Sequence, residues 1–150
     1  MSMTLSDSIH RLMHAYKHLL SNGINTRKIQ LSITNIRVLK SVCRRPQSTA
    51  HSVAQRMQRD KAQITRALND LIDAGLIKKV ENPTDRRSQL LEPTSKGKKM
   101  KAKLDSIESQ AVEQLTHNLA PADLEAFLRI SQAMADNVEP SLINESTETL

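Results

Sequence analysis

The sequence predicts a mainly α-helical fold with one short two-stranded antiparallel ribbon. Three observations predict it. Apolar residues recur at helical spacing through most of the chain. Only two short runs, Leu76 to Val80 and Ser88 to Glu92, read as strands, and they flank a loop rich in turn formers, Glu81 to Arg87. Aromatic rings are almost absent, with Tyr16 and Phe127 the only two. The core must therefore be built from Leu, Ile, Val, Met and Ala. At 150 residues the chain has the length of one domain.

The elements follow in order. Leu5, Ile9, Leu12, Met13, Tyr16, Leu19 and Leu20 form a helical stripe, and Gly23 is the expected stop. His10, His14 and His18 lie on the flank away from that stripe, and read first as a solvated or interface row. Neighbours at i and i+4 can share a metal ion. His10 and His18, about 12 Å apart along the axis, cannot both join one ion. Ser32 caps a second helix with Ile36, Leu39, Val42 and Cys43 on its buried face, and Pro46 stops it. Thr49 caps a short helix carrying Val53, Ala54 and Met57, and Gln58-Arg59-Asp60 is the turn after it.

The next helix, 61 to 74, is the stretch the rest is organised around. Asp60 and Gln63 have capping-box spacing. Ile64, Leu68, Leu71 and Ile72 form its apolar stripe, and Gly75 closes it. Small Ala54 lets the two helices cross closely, as a helix-turn-helix requires. After the ribbon, where Pro93 is expected to end the second strand a residue early, Thr94 caps a long helix. Met100, Leu104, Ile107, Ala111 and Leu115 are its apolar face, and the turns from Lys96 to Lys103 are basic. Pro121 opens a last helix with Leu124, Phe127, Leu128, Ser131, Met134 and Val138, and Pro140 stops it. The tail from Ser141 to Leu150 is polar, acidic and expected to fray.

Charge divides the chain. Residues 1–50 carry +7, residues 51–103 carry +7 and residues 104–150 carry −8, within a net charge of +6. A basic body with an acidic end segment points to a polyanion bound on one side. Enzyme signatures are missing: there is no Gly-rich phosphate loop, no His-Glu-x-x-His and no nucleophile with a local base. No cofactor or metal site is expected. No apolar run approaches the roughly 18 residues of a membrane span, and no secretory signal is visible. Cys43 is alone, which excludes an intrachain disulfide and fits a reducing cytosol. It reads as a small core hydrophobe, with Arg44 and Arg45 the only argument for a redox role.

The face of helix 61–74 opposite its apolar stripe shows Ala62, Thr65, Arg66 and Asn69, with Lys61 and Gln63 at its start. A small residue, a hydroxyl, a guanidinium and an amide are suited to base edges and phosphates in a major groove. The loop that follows ends in Asp85-Arg86-Arg87. Helix, turn, helix ending in Ala-Gly-Leu-Ile-Lys-Lys, then Asn-Pro-Thr-Asp-Arg-Arg (82–87), then Thr-Ser-Lys-Gly (94–97) resembles the MarR family of bacterial winged helix-turn-helix transcription regulators. Pro93 departs from that pattern, where the family usually has an apolar strand residue.

The resemblance implies a single domain over 1–150, with the winged helix-turn-helix at about 32–100 and dimerisation helices at about 4–23 and 95–139. It implies a cytoplasmic homodimer that regulates transcription as a repressor, reads a palindromic double-stranded operator and answers to a small-molecule effector. Helix 61–74 would enter the major groove through Lys61, Ala62, Gln63, Thr65, Arg66 and Asn69, and the wing at 81–87 the minor groove. Adjacent arginines on an extended tip point to opposite sides. The expectation is that Arg86 enters the groove and that Asp85 supports the wing by pairing with Arg87. The alternative is a winged-helix module that binds protein or RNA. An apolar patch on the recognition face would favour the first and aromatic stacking platforms the second.

Overall fold

The computed structural model describes residues 2–138. Along the chain run α1 (Leu5–Thr26), α2 (Ile33–Arg44), α3 (Ala50–Met57), α4 (Lys61–Asp73), β1 (Ile77–Glu81), β2 (Gln89–Pro93), α5 (Ser95–Leu115) and α6 (Pro121–Asp136). The mainly helical class and the two-stranded ribbon are as the sequence predicts. Both strands sit one residue later than expected. Pro140 and the tail lie outside the described residues.

Two compact units are distinguished. One contains residues 31–102, together with α6 from Ile130 onward. In it α2, α3 and α4 pack on one another, and β2 packs on α2 and α3. Ile36, Leu39, Val53, Ile64, Leu71, Leu76 and Ile77 are fully or almost fully buried. These are the stripes the periodicity marks, joined by Ala67, which it does not mark, while Ile72 is only half-buried. β1 and β2 pair antiparallel, with Ile77 opposite Pro93 and Glu81 opposite Gln89.

Pro93 closes β2 rather than falling outside it, and the ladder explains why. The Thr94 N–H donates to the Leu76 carbonyl at 3.0 Å, which makes that neighbouring pair the hydrogen-bonded one. Ile77 and Pro93 are then a non-bonded pair, and the N–H that proline lacks would point away from β1. On that same outer side the Leu91 N–H donates to the Ser48 carbonyl at 2.7 Å. Ser48 thus adds a one-residue third strand to the ribbon.

The other unit contains residues 1–30 and 103–129. Thr4 and Asp7 start α1 with a capping box. The Thr4 hydroxyl, and after it the Thr4 backbone N–H, donate to the Asp7 carboxylate and hold it below the usual aspartate range. Gly23 does not stop α1, which continues to Thr26. Its smallness serves packing instead, since a Cβ there would lie 2.5 Å from the Ile107 Cγ2. Leu20, Leu104, Ile107 and Ala111 are buried beside this contact. Arg27 locks the end of α1 by donating to the Lys103 carbonyl, the Ser106 hydroxyl and the Gln110 amide oxygen at 3.1–3.3 Å. Burial, and after it the charge of Glu108, push the Tyr16 phenol up.

Among the described residues nothing covers the first half of the α1 stripe. Leu5 is 60% exposed and Leu12 42%. α6 has no buried residue, and Phe127 and Leu128 are 51% and 58% exposed.

Candidate nucleic-acid interface

Each element of the site is fixed by local chemistry. Thr49 and Ser52 cap α3 reciprocally: the Thr49 hydroxyl accepts from the Ser52 N–H, and the Ser52 hydroxyl accepts from the Thr49 N–H. Gln58 turns the chain in the left-handed region at φ 46°. Asp60 then occupies the N-cap position of α4 but makes no side-chain cap bond, so the capping box expected with Gln63 is not formed. The helix end is better built than its start. Gly75, at φ +75°, donates to the Ile72 carbonyl, and the Leu76 N–H reaches back to the Leu71 carbonyl. This Schellman pair needs the left-handed residue that glycine supplies.

The Thr-Ser-Lys-Gly stretch clamps the same end. The Thr94 hydroxyl donates to the Gly75 carbonyl at 2.6 Å, and the Lys96 ammonium donates to the Ala74 carbonyl at 2.9 Å. A cation at the C-terminal carbonyls of a helix is favoured by the helix dipole. The Gly97 N–H donates to the Thr94 hydroxyl and opens α5. Helix α4 is therefore held at its far end by the start of the next helix.

With its backbone fixed, α4 exposes Lys61, Ala62, Gln63, Thr65, Arg66 and Asn69. Among the described residues Arg66 makes no ion pair with Asp70, which instead accepts from the Asn35 amide at 3.5 Å. The Thr65 hydroxyl donates back to the Lys61 carbonyl at 2.8 Å, leaving its methyl and its lone pairs to face outward.

A concavity of about 430 Å³ lies between α3, α4 and the ribbon. It gathers Lys61, Thr65 and Asn69 from α4 with Arg86 and Arg87 from the loop. Ala62, Gln63 and Arg66 stand exposed on α4 but do not line it. Its wall also includes His51 on α3, Lys79 on β1 and Gln89 on β2, which sequence reasoning missed. Lys79 could have been found from strand alternation next to Lys78; nothing in the sequence marks His51. Among the described residues the lining has four Lys or Arg side chains, the His51 imidazole as its one ring, and no carboxylate.

The wing tip corrects one expectation. The Asp85 carboxylate is tied within the loop to one backbone and one side-chain donor: it accepts from the Arg87 N–H at 3.0 Å and from the Ser88 hydroxyl at 3.4 Å. The Arg87 guanidinium is not its partner. The Ser88 N–H donates to the Asp85 carbonyl, so the segment is a turn and the alternation of an extended strand does not apply. Both arginines consequently face the same concavity. Asn82 closes the other end, accepting from the Thr84 N–H and hydroxyl and donating to Ser88. That second tie was missed.

Among the described residues no three His, Cys, Asp or Glu side chains converge as metal ligands, and His10 and His14 border only a shallow open surface. Cys43 is partly buried. No described helix is long and apolar enough to cross a membrane.

The sequence profile of the MarR family matches residues 29–88, which takes in the helix-turn-helix and the Asp-Arg-Arg tip. Several solved structures share the fold. Wild-type MarR from E. coli in its apo form is 20% identical, with a TM-score of 0.71 over 89% of this chain and 98% of that one. FabT of Streptococcus pneumoniae, solved in complex with DNA, is 18% identical, with a TM-score of 0.76 over 90% of this chain and 95% of that one. A MarR protein from Peptoclostridium difficile is 22% identical, with a TM-score of 0.72 over 93% and 92%. No curated protein sequence matches the chain.

Proposed function

We propose that this chain, whose residues 29–88 match the MarR family, is a cytoplasmic, non-enzymatic transcription regulator that binds double-stranded DNA as a homodimer. The observation that carries the reading is the concavity. It brings Lys61, Thr65 and Asn69 of α4 together with Arg86 and Arg87 of the wing, with no opposing carboxylate. Such a surface suits the phosphate backbone, and the amide and hydroxyl beside it suit base edges. Among the described residues the lining offers no Phe, Tyr or Trp, and the single His51 ring is a poor platform for stacking successive unpaired RNA bases. On this reading α4 lies in a major groove, and the wing, led by Arg86, reaches the adjacent minor groove. An arginine gains most there where the groove is narrow.

The dimer is supported by the uncovered apolar faces of α1 and α6, which two-fold pairing would bury. Two copies of α4 about 34 Å apart would then read the two halves of a palindromic operator. Repression and a small-molecule effector rest on the family resemblance. An effector of this dimer has to bind the geometry unfit for DNA more tightly than the fit one.

Fluorescence anisotropy with a selected duplex tests the reading. Arg66→Ala should cost about 1–3 kcal/mol if the guanidinium pairs with a base edge, and Asn69→Ala should also weaken binding. If both variants bind like the wild type, α4 is not the recognition helix.

A further inference from the structure

Arg56 is used by nothing described so far, yet it joins α2, the start of α3 and the Ser48 segment that meets β2. It lies on α3, is partly buried, and does not line the concavity. Its Nε and Nη2 donate to the Ser41 hydroxyl of α2 at 3.2 and 2.8 Å. Nη2 also donates to the Ser48 hydroxyl at 3.0 Å, and Nη1 to the Ser52 hydroxyl at 3.4 Å. Ser41 and Ser48 are buried, at 0% and 1% exposure. One guanidinium thus serves three hydroxyls from three places in the chain.

The three places matter because of what each holds. Ser52 is half of the capping box that starts α3, next to His51 in the wall of the concavity. Ser48 is the residue whose carbonyl accepts the Leu91 N–H of β2, on the side of the ribbon away from β1. Its hydroxyl is fixed twice, accepting from Arg56 and donating to the Arg45 carbonyl at 2.6 Å. Beside the packing of β2 on α2 and α3, the wing is tied to the helix-turn-helix by the backbone bond to Ser48, and Arg56 fixes Ser48 relative to α2 and α3. A planar fork with five fixed donors can hold such a junction, and lysine cannot reproduce it.

We infer that Arg56 is a positioning residue for DNA binding: it aims the wing by fixing Ser48, so that Arg86 and Arg87 share one surface with α4. This rests on the proposed DNA-binding reading for its functional half. Its structural half stands without DNA.

The test is a double-mutant cycle together with amide exchange. Arg86→Ala should weaken DNA binding about tenfold or more in the wild-type background. In the Arg56→Gln background the same substitution should cost less than about twofold, because the wing is no longer aimed. Lys61→Ala, on α4, should cost the same factor in both backgrounds. A merely destabilising Arg56→Gln would reduce the folded fraction and leave both factors unchanged. An unchanged Arg86→Ala factor would therefore overturn the inference. Without DNA, Arg56→Gln should lower the protection of the Leu91 amide at least about tenfold, while the Leu90 and Glu92 amides of the β1–β2 ladder stay within about twofold. Equal protection of all three at wild-type levels would also overturn it. Ser48→Ala, a smaller change that leaves the backbone bond to Leu91 in place, should move both readouts the same way and serves if Arg56→Gln does not fold. A wild-type protein that binds no duplex, with Arg56→Gln still showing the exchange pattern, would reject the DNA reading and keep the junction.

Discussion

Gly97→Ala sets two physical effects against each other, and the structure decides which wins. Gly97 sits in the first turn of α5, where alanine would ordinarily stabilise a helix by about 0.5–1 kcal/mol over glycine. A Cβ at this position would lie 2.0 Å from the Leu76 carbonyl oxygen and 3.0 Å from its carbon. These are backbone atoms, so no rotamer change relieves the clash. The carbonyl is also committed, since it accepts the Thr94 N–H at 3.0 Å. Making room means moving α5 off β1 by more than 1 Å, judged against ordinary contacts of about 3.5–4.0 Å. Overpacking of this kind costs about 1–3 kcal/mol, and weakening the Leu76–Thr94 bond adds about 0.5–1.5 kcal/mol. The net expectation is a loss of about 0.5–4 kcal/mol, a fall in Tm of roughly 2–4 °C for each kcal/mol in a chain of this size. Thermal unfolding of wild type and variant at matched protomer concentration measures it, because the proposed dimerisation would make Tm concentration-dependent. A Gly97→Ala protein as stable as wild type, or more so, would show that α5 does not clamp the end of α4 as described.

Three other outcomes are expected. Arg86→Ala should weaken binding to duplex DNA and make its salt dependence shallower by about one unit of slope; Asp85→Ala should weaken binding without that change in slope, and tighter binding by Asp85→Ala would retire its support of the loop. Leu12→Lys places an unpaired charge in the proposed dimer interface at a cost of a few kcal/mol by order of magnitude; sedimentation should show a wild-type dimer and a dissociated variant, and a monomeric wild type at micromolar concentration would sink the dimer. The Asp7 carboxylate, held by Thr4 below the ordinary value of 3.8, contributes to the start of α1 above that value and loses the contribution as pH falls through its lower folded pKa. Amide exchange at the first turn of α1 should accelerate in that acid window and should do so at neutral pH in Asp7→Ala; an acid profile identical in both proteins would count against the capping box.

The parts of this fold legible in the sequence are those where a local rule and the tertiary structure agree. The stripe Ile64, Leu68, Leu71 is buried as its spacing requires, and Gly75 ends α4 because the left-handed turn there suits glycine. Thr49 and Ser32 cap the helices they precede. Where sequence reasoning failed, either a non-local contact had overridden the local signal or a local turn had replaced the expected strand. Gly23 looks like a helix stop, yet it is small because Ile107 packs against it. Lys40 and Ser41 carry no core signature but are fully buried on α2. The Arg87–Asp85 expectation failed because it applied strand alternation to a turn. The cationic face of the site was legible through Lys61, Arg86 and Arg87; His51 was not, because its place beside them depends on how α3 crosses α4.

The measurement that tests the central claim most directly is selection of bound duplexes from a random double-stranded library, followed by determination of the stoichiometry on the enriched site. The account predicts an inverted repeat with half-site centres about one helical turn, 10–10.5 base pairs, apart, bound by two chains per duplex. Enrichment of no sequence over the starting library, or of a single asymmetric site bound by one chain, would contradict it.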